Sequence, residues 1–305
     1  MSPGEFLIGP IRWYAALIVT GMALAVWLAT LEERRRGLPK DTILDLALWL
    51  LPIGVLGARI YYVIFSWDRY AADPLSALYI WEGGLAIYGG VIAGALTALV
   101  FAKKRGLPLR VLADMIAPGL ALAQGIGRWG NFFNSEAYGV ETAVPFWRFF
   151  PASVLIGDTW HLACFFYESV LDIAVFVWLW CRRKKRLRDG DTTLGYLLLY
   201  GAGRMLIEGL RTDSLYLTGT LRISQLLSAA MVLAVCVVWM TRVKGPTRLW
   251  LLLPAALLAA ATVCGVLGAS LGVMSAVIAG YGAAAILCTA IFEIKAGGLS
   301  CPTAS

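Results

Sequence analysis

Nine apolar stretches dominate this 305-residue chain, at 13–31, 43–66, 85–102, 111–127, 162–181, 194–210, 221–241, 249–268 and 271–292. Each is close to the ~20 residues a helix needs to cross a hydrocarbon core of ~30 Å. In lipid no water is present to satisfy a backbone N–H or C=O, so a segment of this kind must bond internally, as a helix does. The pattern predicts an all-α polytopic membrane protein. With 60% hydrophobic residues, 15% charged residues and a mean hydropathy of +0.75, the composition also lies outside the averages of soluble globular domains.

The first stretch is expected to stay in the protein as helix 1. It is longer than the apolar core of a cleaved leader, and its positive cluster, Arg34, Arg35 and Arg36, follows the apolar run instead of preceding it. The six cysteines, at 164, 181, 236, 264, 288 and 301, fall mostly in apolar runs without a C-x-x-C spacing. They read as small buried hydrophobes, not as a disulfide framework or a metal site.

Orientation follows from the cationic residues, because Lys and Arg near helix ends are retained in the cytoplasm. Clusters at 34–40, 103–110, 182–188 and 242–248, with Lys295, hold eighteen of the 26 Lys and Arg and fall on one side of the expected membrane. The N-terminus is then outside and, after nine crossings, the C-terminus inside. The formal charge of +7 is mainly a topology signal and does not imply nucleic-acid binding.

The eight cations left over are all arginines: Arg12, Arg59, Arg69, Arg128, Arg148, Arg204, Arg211 and Arg222. They lie at outer helix ends or inside apolar segments, where an ionised side chain faces a polar cavity or a partner. Arginine offers a planar fork of donors that matches phosphate and keeps its charge when partly desolvated. As a set they suggest a site for an anionic lipid headgroup. The plainer alternative is that each pairs with a carboxylate such as Glu136, Glu168 or Glu208 and only ties helices together.

Two segments concentrate these residues. Gly127-Arg128-Trp129-Gly130-Asn131-Phe132-Phe133-Asn134-Ser135-Glu136-Ala137-Tyr138-Gly139 ends helix 4. Its glycines are expected to break the helix and admit a ligand, and a broken helix end at membrane depth must line a cavity or be buried in protein. In Tyr200-Gly201-Ala202-Gly203-Arg204-Met205-Leu206-Ile207-Glu208-Gly209-Leu210-Arg211, spacings of four and three put Arg204, Glu208 and Arg211 on one helix face. Glu208 is expected to bridge both arginines, either as a structural triad or to orient a substrate anchor.

Together with Trp81-Glu82-Gly83-Gly84-Leu85-Ala86-Ile87-Tyr88-Gly89-Gly90, Gly57-Ala58-Arg59-Ile60-Tyr61-Tyr62, Arg12-Trp13-Tyr14, Asp114 with Pro118, Tyr167-Glu168 and Ile223-Ser224-Gln225, these segments resemble the bacterial prolipoprotein diacylglyceryl transferase family. The likeness runs over roughly residues 9–242. It implies seven helices in the cytoplasmic (inner) membrane. It also implies transfer of the sn-1,2-diacylglyceryl group of phosphatidylglycerol to the lipobox cysteine of a preprolipoprotein, forming a thioether and releasing glycerol phosphate. No cofactor or metal is implied; the partners are phosphatidylglycerol, the preprolipoprotein signal peptide and the bilayer. Residues 1–245 would form the transferase core, with outward loops at 67–84, 128–161 and 211–221, and residues 246–305 an extension.

Carried over residue by residue, the resemblance makes Arg128 and Arg204 candidates for phosphate binding and leaving-group stabilisation, and Asn131, Glu136 and Gly139 match further functional positions. Tyr14, Glu208 and Arg211 are candidate substrate-binding residues. The nucleophile is the substrate thiol, which at a pKa of ~8.5 is only slightly ionised near neutrality. Where some family members have a histidine before the glycine pair, this chain has Tyr88, as others do; a phenol of pKa ~10 suits hydrogen bonding better than base catalysis. The single histidine, His161, reads as an interfacial residue at the start of helix 5. The runs at 249–268 and 271–292 lie beyond the usual seven helices and contain no Asp, Glu, Lys, Arg or His, which suggests a packing or partner surface. A transporter or channel is the main rival class, since it too uses glycine-interrupted helices and buried arginines, but no internal repeat supports it; a non-catalytic scaffold leaves the outer arginines unexplained.

Overall fold

The computed structural model describes residues 6–8, 11–142, 144–185, 188–212, 216–218 and 221–242. Seven α-helices occur among these residues: α1 (Trp13–Arg36), α2 (Thr42–Phe65), α3 (Ile87–Arg105), α4 (Leu109–Phe133), α5 (Cys164–Arg182), α6 (Asp191–Glu208) and α7 (Ile223–Arg242). Six are long and apolar enough to span a membrane. The exception is α6, whose 18 residues include Asp191, Arg204 and Glu208. The last turns of α1, α3, α5 and α7 carry cations and those of α2, α4 and α6 do not. Among the described residues, strands form three small antiparallel hairpins: β1 (Phe6–Ile8) with β2 (Ile11–Arg12), β3 (Ser153–Ile156) with β4 (Thr159–Leu162), and β5 (Tyr216–Thr218) with β6 (Leu221–Arg222).

The chain divides into two compact units. One comprises residues 26–116. At its polar end Glu33, buried at the end of α1, accepts from the amides of Asp41 (3.0 Å) and Ile43 (2.6 Å). It thereby satisfies donors that the start of α2 would otherwise leave orphaned. Ala29, Ile43, Leu46, Phe101, Leu112 and Met115 pack into the core beside it. Further along, α2 and α3 approach backbone to backbone: a Cβ at Gly57 would stand 2.8 Å from the Gly89 carbonyl oxygen, and one at Gly89 would collide with the Gly57 carbonyl and Tyr61. Small residues at such a crossing give the dispersion contacts that hold helices together in lipid. We expect Gly89→Val to force the pair apart at a cost of roughly 1–3 kcal/mol, read as a lower thermal midpoint of the reconstituted protein; an unchanged midpoint would mean that the seam carries little stability.

The other unit comprises the described residues within 1–25 and 117–242. Ala117, Ala121, Val175, Leu179 and Tyr196 form one core between α4, α5 and α6. A second core, of Ala137, Val154, Ala163 and Phe165, lies beneath the β3–β4 hairpin.

Two expectations need correction. The helix α4 does not break at Gly127 but runs on to Phe133. Gly130 instead makes room for a neighbour, since its Cβ would lie 2.5 Å from the Tyr14 ring and 3.3 Å from the Tyr14 Cα. And α6 ends at Glu208, so Arg211 lies beyond the helix and not on its face. The two runs expected at 249–268 and 271–292 lie outside the described residues.

Candidate functional site

Glu168, in the first turns of α5, is the hub of the charged residues. Its carboxylate meets Arg128 of α4 (Nε to Oε2, 2.5 Å), Arg204 of α6, and Arg211 just past α6 (Nη1 to Oε1, 3.3 Å). Arg204 also grips Glu208, one turn on, at 2.8 Å. The carboxylates are the hidden members, with side chains 4% and 2% exposed, whereas Arg128, Arg204 and Arg211 keep 22%, 16% and 11%. The three cations thus share these two buried anions and are the more accessible members of the cluster. An anion arriving there meets preorganised forks of N–H donors.

Local packing explains why these side chains converge. Ser169 donates to the Gly125 carbonyl (2.8 Å) and accepts from the Trp129 indole N–H (3.1 Å), which ties α5 to α4 on either side of Arg128. The Trp129 ring is in turn enclosed by Phe132, Phe150, Phe165 and Phe166. With α4 fixed in rotation, Arg128 is directed at Glu168.

Asn131 and Glu136, the next expected site residues, line a neighbouring recess with Phe132, Ser135, Tyr138, Val154, Ile156 and Phe165. The chain turns there through left-handed backbone at Ser135 (φ 54°) and Ala137 (φ 55°), closed by the Glu136 amide donating to the Asn131 carbonyl at 2.8 Å. The structure thus distributes the segment over two places: Arg128 in the ion cluster, Asn131 and Glu136 in the recess.

Gly139 connects them. It pairs with Arg211 in an antiparallel bridge, and its amide donates to Leu162 at 2.7 Å. No side chain fits, because a Cβ would stand 2.7 Å from Cys164 Sγ and 2.8 Å from the Leu210 carbonyl oxygen. His161 is not at a helix start: it lies in β4, with Nδ1 3.0 Å from the Gly139 carbonyl oxygen and Nε2 2.9 Å from Thr159 Oγ1, and its ring edges against Tyr138. We expect Gly139→Ala to displace the Arg211 segment and lower kcat/KM at least ~10-fold with little change in the amount of folded protein, since small misplacements of binding groups are costly. Wild-type kinetics in the variant would show that Arg211 is positioned some other way.

Other expected site residues have contacts of their own. Tyr14, 38% exposed, packs against Gly130. Tyr88, half-buried in the first turn of α3, belongs to the 26–116 unit, where its ring faces Tyr61 at 6.4 Å. Arg59 corrects the reading of the outer arginines as one headgroup site. It is 5% exposed and donates to the carbonyls of Ser76, Ala77, Tyr79, Gly83 and Gly84, stacked over Tyr70. Its work is to hold the 74–84 loop.

In the sequence Glu168 stands among possible arginine partners and not among the site residues, and Asp172, Tyr196 and Tyr200 are assigned no role. The available signal was spacing: a second carboxylate four residues after Glu168, and tyrosines four and eight residues before Arg204, in otherwise apolar helices.

The family model described as prolipoprotein diacylglyceryl transferase matches residues 3–241. Among similar proteins, the phosphatidylglycerol--prolipoprotein diacylglyceryl transferase of Shouchella clausii is 44% identical over 251 residues, 80% of this chain and 89% of the relative. Those of Enterococcus faecalis and Bacillus cereus, which carry the same name, are 44% and 46% identical over 245 and 229 residues, covering 78% and 73% of this chain and 88% and 84% of the relatives. With its membrane helices and its arginine cluster inside the matched region, the chain belongs to the prolipoprotein diacylglyceryl transferase family.

Proposed function

We propose that this chain transfers the sn-1,2-diacylglyceryl group of phosphatidylglycerol to the lipobox cysteine thiol of a preprolipoprotein. The observation that carries this reading is the trio Arg128, Arg204 and Arg211 assembled on buried Glu168. Sulfur displaces the phosphodiester oxygen at a CH₂ carbon: the S–C bond forms, the C–O bond breaks, and its electron pair stays on the phosphate, which leaves as glycerol phosphate. Negative charge on the phosphate therefore grows along the reaction coordinate, so arginines aimed at it bind the transition state more tightly than the ground state. The thiol, with an ordinary pKa of ~8.5, ionises more readily in the same positive field.

In this reading Arg128 and Arg204 hold the phosphate, Glu208 and Arg211 complete its cradle, and Asn131, Glu136, Gly139 and Tyr14 shape the substrate surface. Tyr88 orients the thiol by hydrogen bonding. We assign residues 1–245 to the transferase core and 246–305 to an extension. The enzyme lies in the bacterial cytoplasmic membrane with its N-terminus outside and its C-terminus inside, a topology supported by the cations at the ends of alternate helices.

The test is direct. The purified protein, incubated with phosphatidylglycerol and a peptide carrying a lipobox cysteine, should raise the peptide's mass by one diacylglyceryl group, and a Cys→Ser peptide should stay unmodified. Folded protein that leaves the cysteine peptide unchanged would end the proposal.

A further inference from the structure

One carboxylate beside the arginines has no part in the chemistry above. Asp172 follows Glu168 by one turn of α5, is 2% exposed, and its Oδ2 meets no hydrogen-bond donor. Its Cβ packs toward Gly125, where an added methyl would stand 3.4 Å away. The charged and titratable groups that act on it come from three helices: Arg128 of α4, Glu168 of its own helix, and Arg204, Tyr196 and Tyr200 of α6. On α6, Tyr196, Tyr200, Arg204 and Glu208 recur at every fourth residue and form one stripe. The two tyrosine rings stack at 5.5 Å, and Tyr196 donates to Gln124, one turn before Arg128 on α4, at 2.8 Å. The polar column is thus continuous with the arginine cluster and extends beyond it.

An ionised Asp172 beside Arg128 and Arg204 weakens their pull on an anion, and a proton on Asp172 removes one negative charge from their surroundings. Glu168 and Glu208 are each committed to ion pairs with arginine, whereas Asp172 Oδ2 meets no donor, so Asp172 is the member placed to carry a proton.

We propose that Asp172 is the proton-binding member of the arginine site, taking up a proton when phosphate occupies the arginines and releasing it when the phosphate leaves. The inference rests on the phosphate-binding reading above. An anion on Arg128 and Arg204 opposes ionisation of the neighbouring carboxyl, and linkage is reciprocal, so protonation of Asp172 tightens phosphate binding by the same factor. The sign follows: affinity is higher while Asp172 keeps its proton and falls as rising pH removes it. The doubly charged phosphate that leaves the reaction is favoured over the singly charged one that enters it, which aids cleavage of the C–O bond.

The experiment is calorimetric titration of the full chain, in phosphatidylcholine nanodiscs, with short-chain phosphatidylglycerol, in two buffers of different ionisation enthalpy at mildly acidic and mildly alkaline pH. The wild type should take up protons on binding at the alkaline pH and lose affinity there by on the order of tenfold. Asp172→Asn should bind at both pH values as tightly as the wild type does in acid, without proton uptake, while Asp172→Glu keeps the linkage. A residue with only a structural role would weaken binding when replaced and would not abolish the proton exchange. Wild-type binding without proton uptake at either pH, or an Asn variant that still takes up protons, overturns the inference but leaves phosphate binding standing. No binding of phosphatidylglycerol by the wild type removes both. If the Asn variant does not fold, proton uptake by the wild type and the Glu variant still decides.

Discussion

Glu168→Ala should lower kcat/KM for diacylglyceryl transfer on the order of 10³-fold, more than removal of any one arginine contact to it would suggest. The glutamate is a single buried anion shared by three cations from three stretches of chain. Without it Arg128, Arg204 and Arg211 repel one another in a medium of low dielectric, and only Glu208 remains to anchor Arg204. Losing one partner of a buried pair typically costs about 3–5 kcal/mol, and here the loss falls on the geometry of the phosphate cradle. Glu168→Gln keeps the shape and one acceptor oxygen but not the charge, and should fall between the wild type and the Ala variant. Steady-state kinetics in nanodiscs, with the thermal midpoint measured on the same samples, separates lost catalysis from lost folding. A folded Ala variant with near wild-type turnover would mean that the arginines are held by something other than Glu168.

The fold was largely readable in the chain, and the reason is physical. In lipid the length and polarity of a span are imposed by the solvent, so the apolar runs at 43–66 and 221–241 become α2 (Thr42–Phe65) and α7 (Ile223–Arg242) almost residue for residue. The site was readable as a set of residue types but not as a set of pairs. Arg204 and Glu208 are neighbours because α6 makes them so, and spacing reveals that. Arg128 and Arg211 reach Glu168 across 40 and 43 residues of sequence, a convergence that only helix packing decides. Gly127 and Gly130 misled for a related reason: glycine in a helix marks either a break or a close approach, and only the neighbouring chain, here Tyr14 against Gly130, shows which. His161 was likewise placed by its hairpin partner Val154, which local sequence does not reveal.

Arg204→Lys, which keeps the charge, should still reduce kcat by roughly 100-fold to 1,000-fold, with a smaller change in KM. Arg204 uses one terminal nitrogen on Glu168 and the other on Glu208, and a guanidinium has five N–H donors, so it keeps donors for a phosphate while bound to both. A lysine concentrates three donors on one nitrogen and cannot span two carboxylates and a ligand at once. The ground-state attraction of the phosphodiester survives, because the net charge of the site is unchanged. What is lost is the directed hydrogen bonding that strengthens as charge develops on the leaving phosphate, and a loss confined to the transition state lowers kcat and kcat/KM together. The opposite split, a kcat within about tenfold of wild type and a raised KM, would make Arg204 a ground-state anchor and shift the burden of transition-state stabilisation to Arg128, whose Arg128→Lys variant would then show the larger fall in kcat.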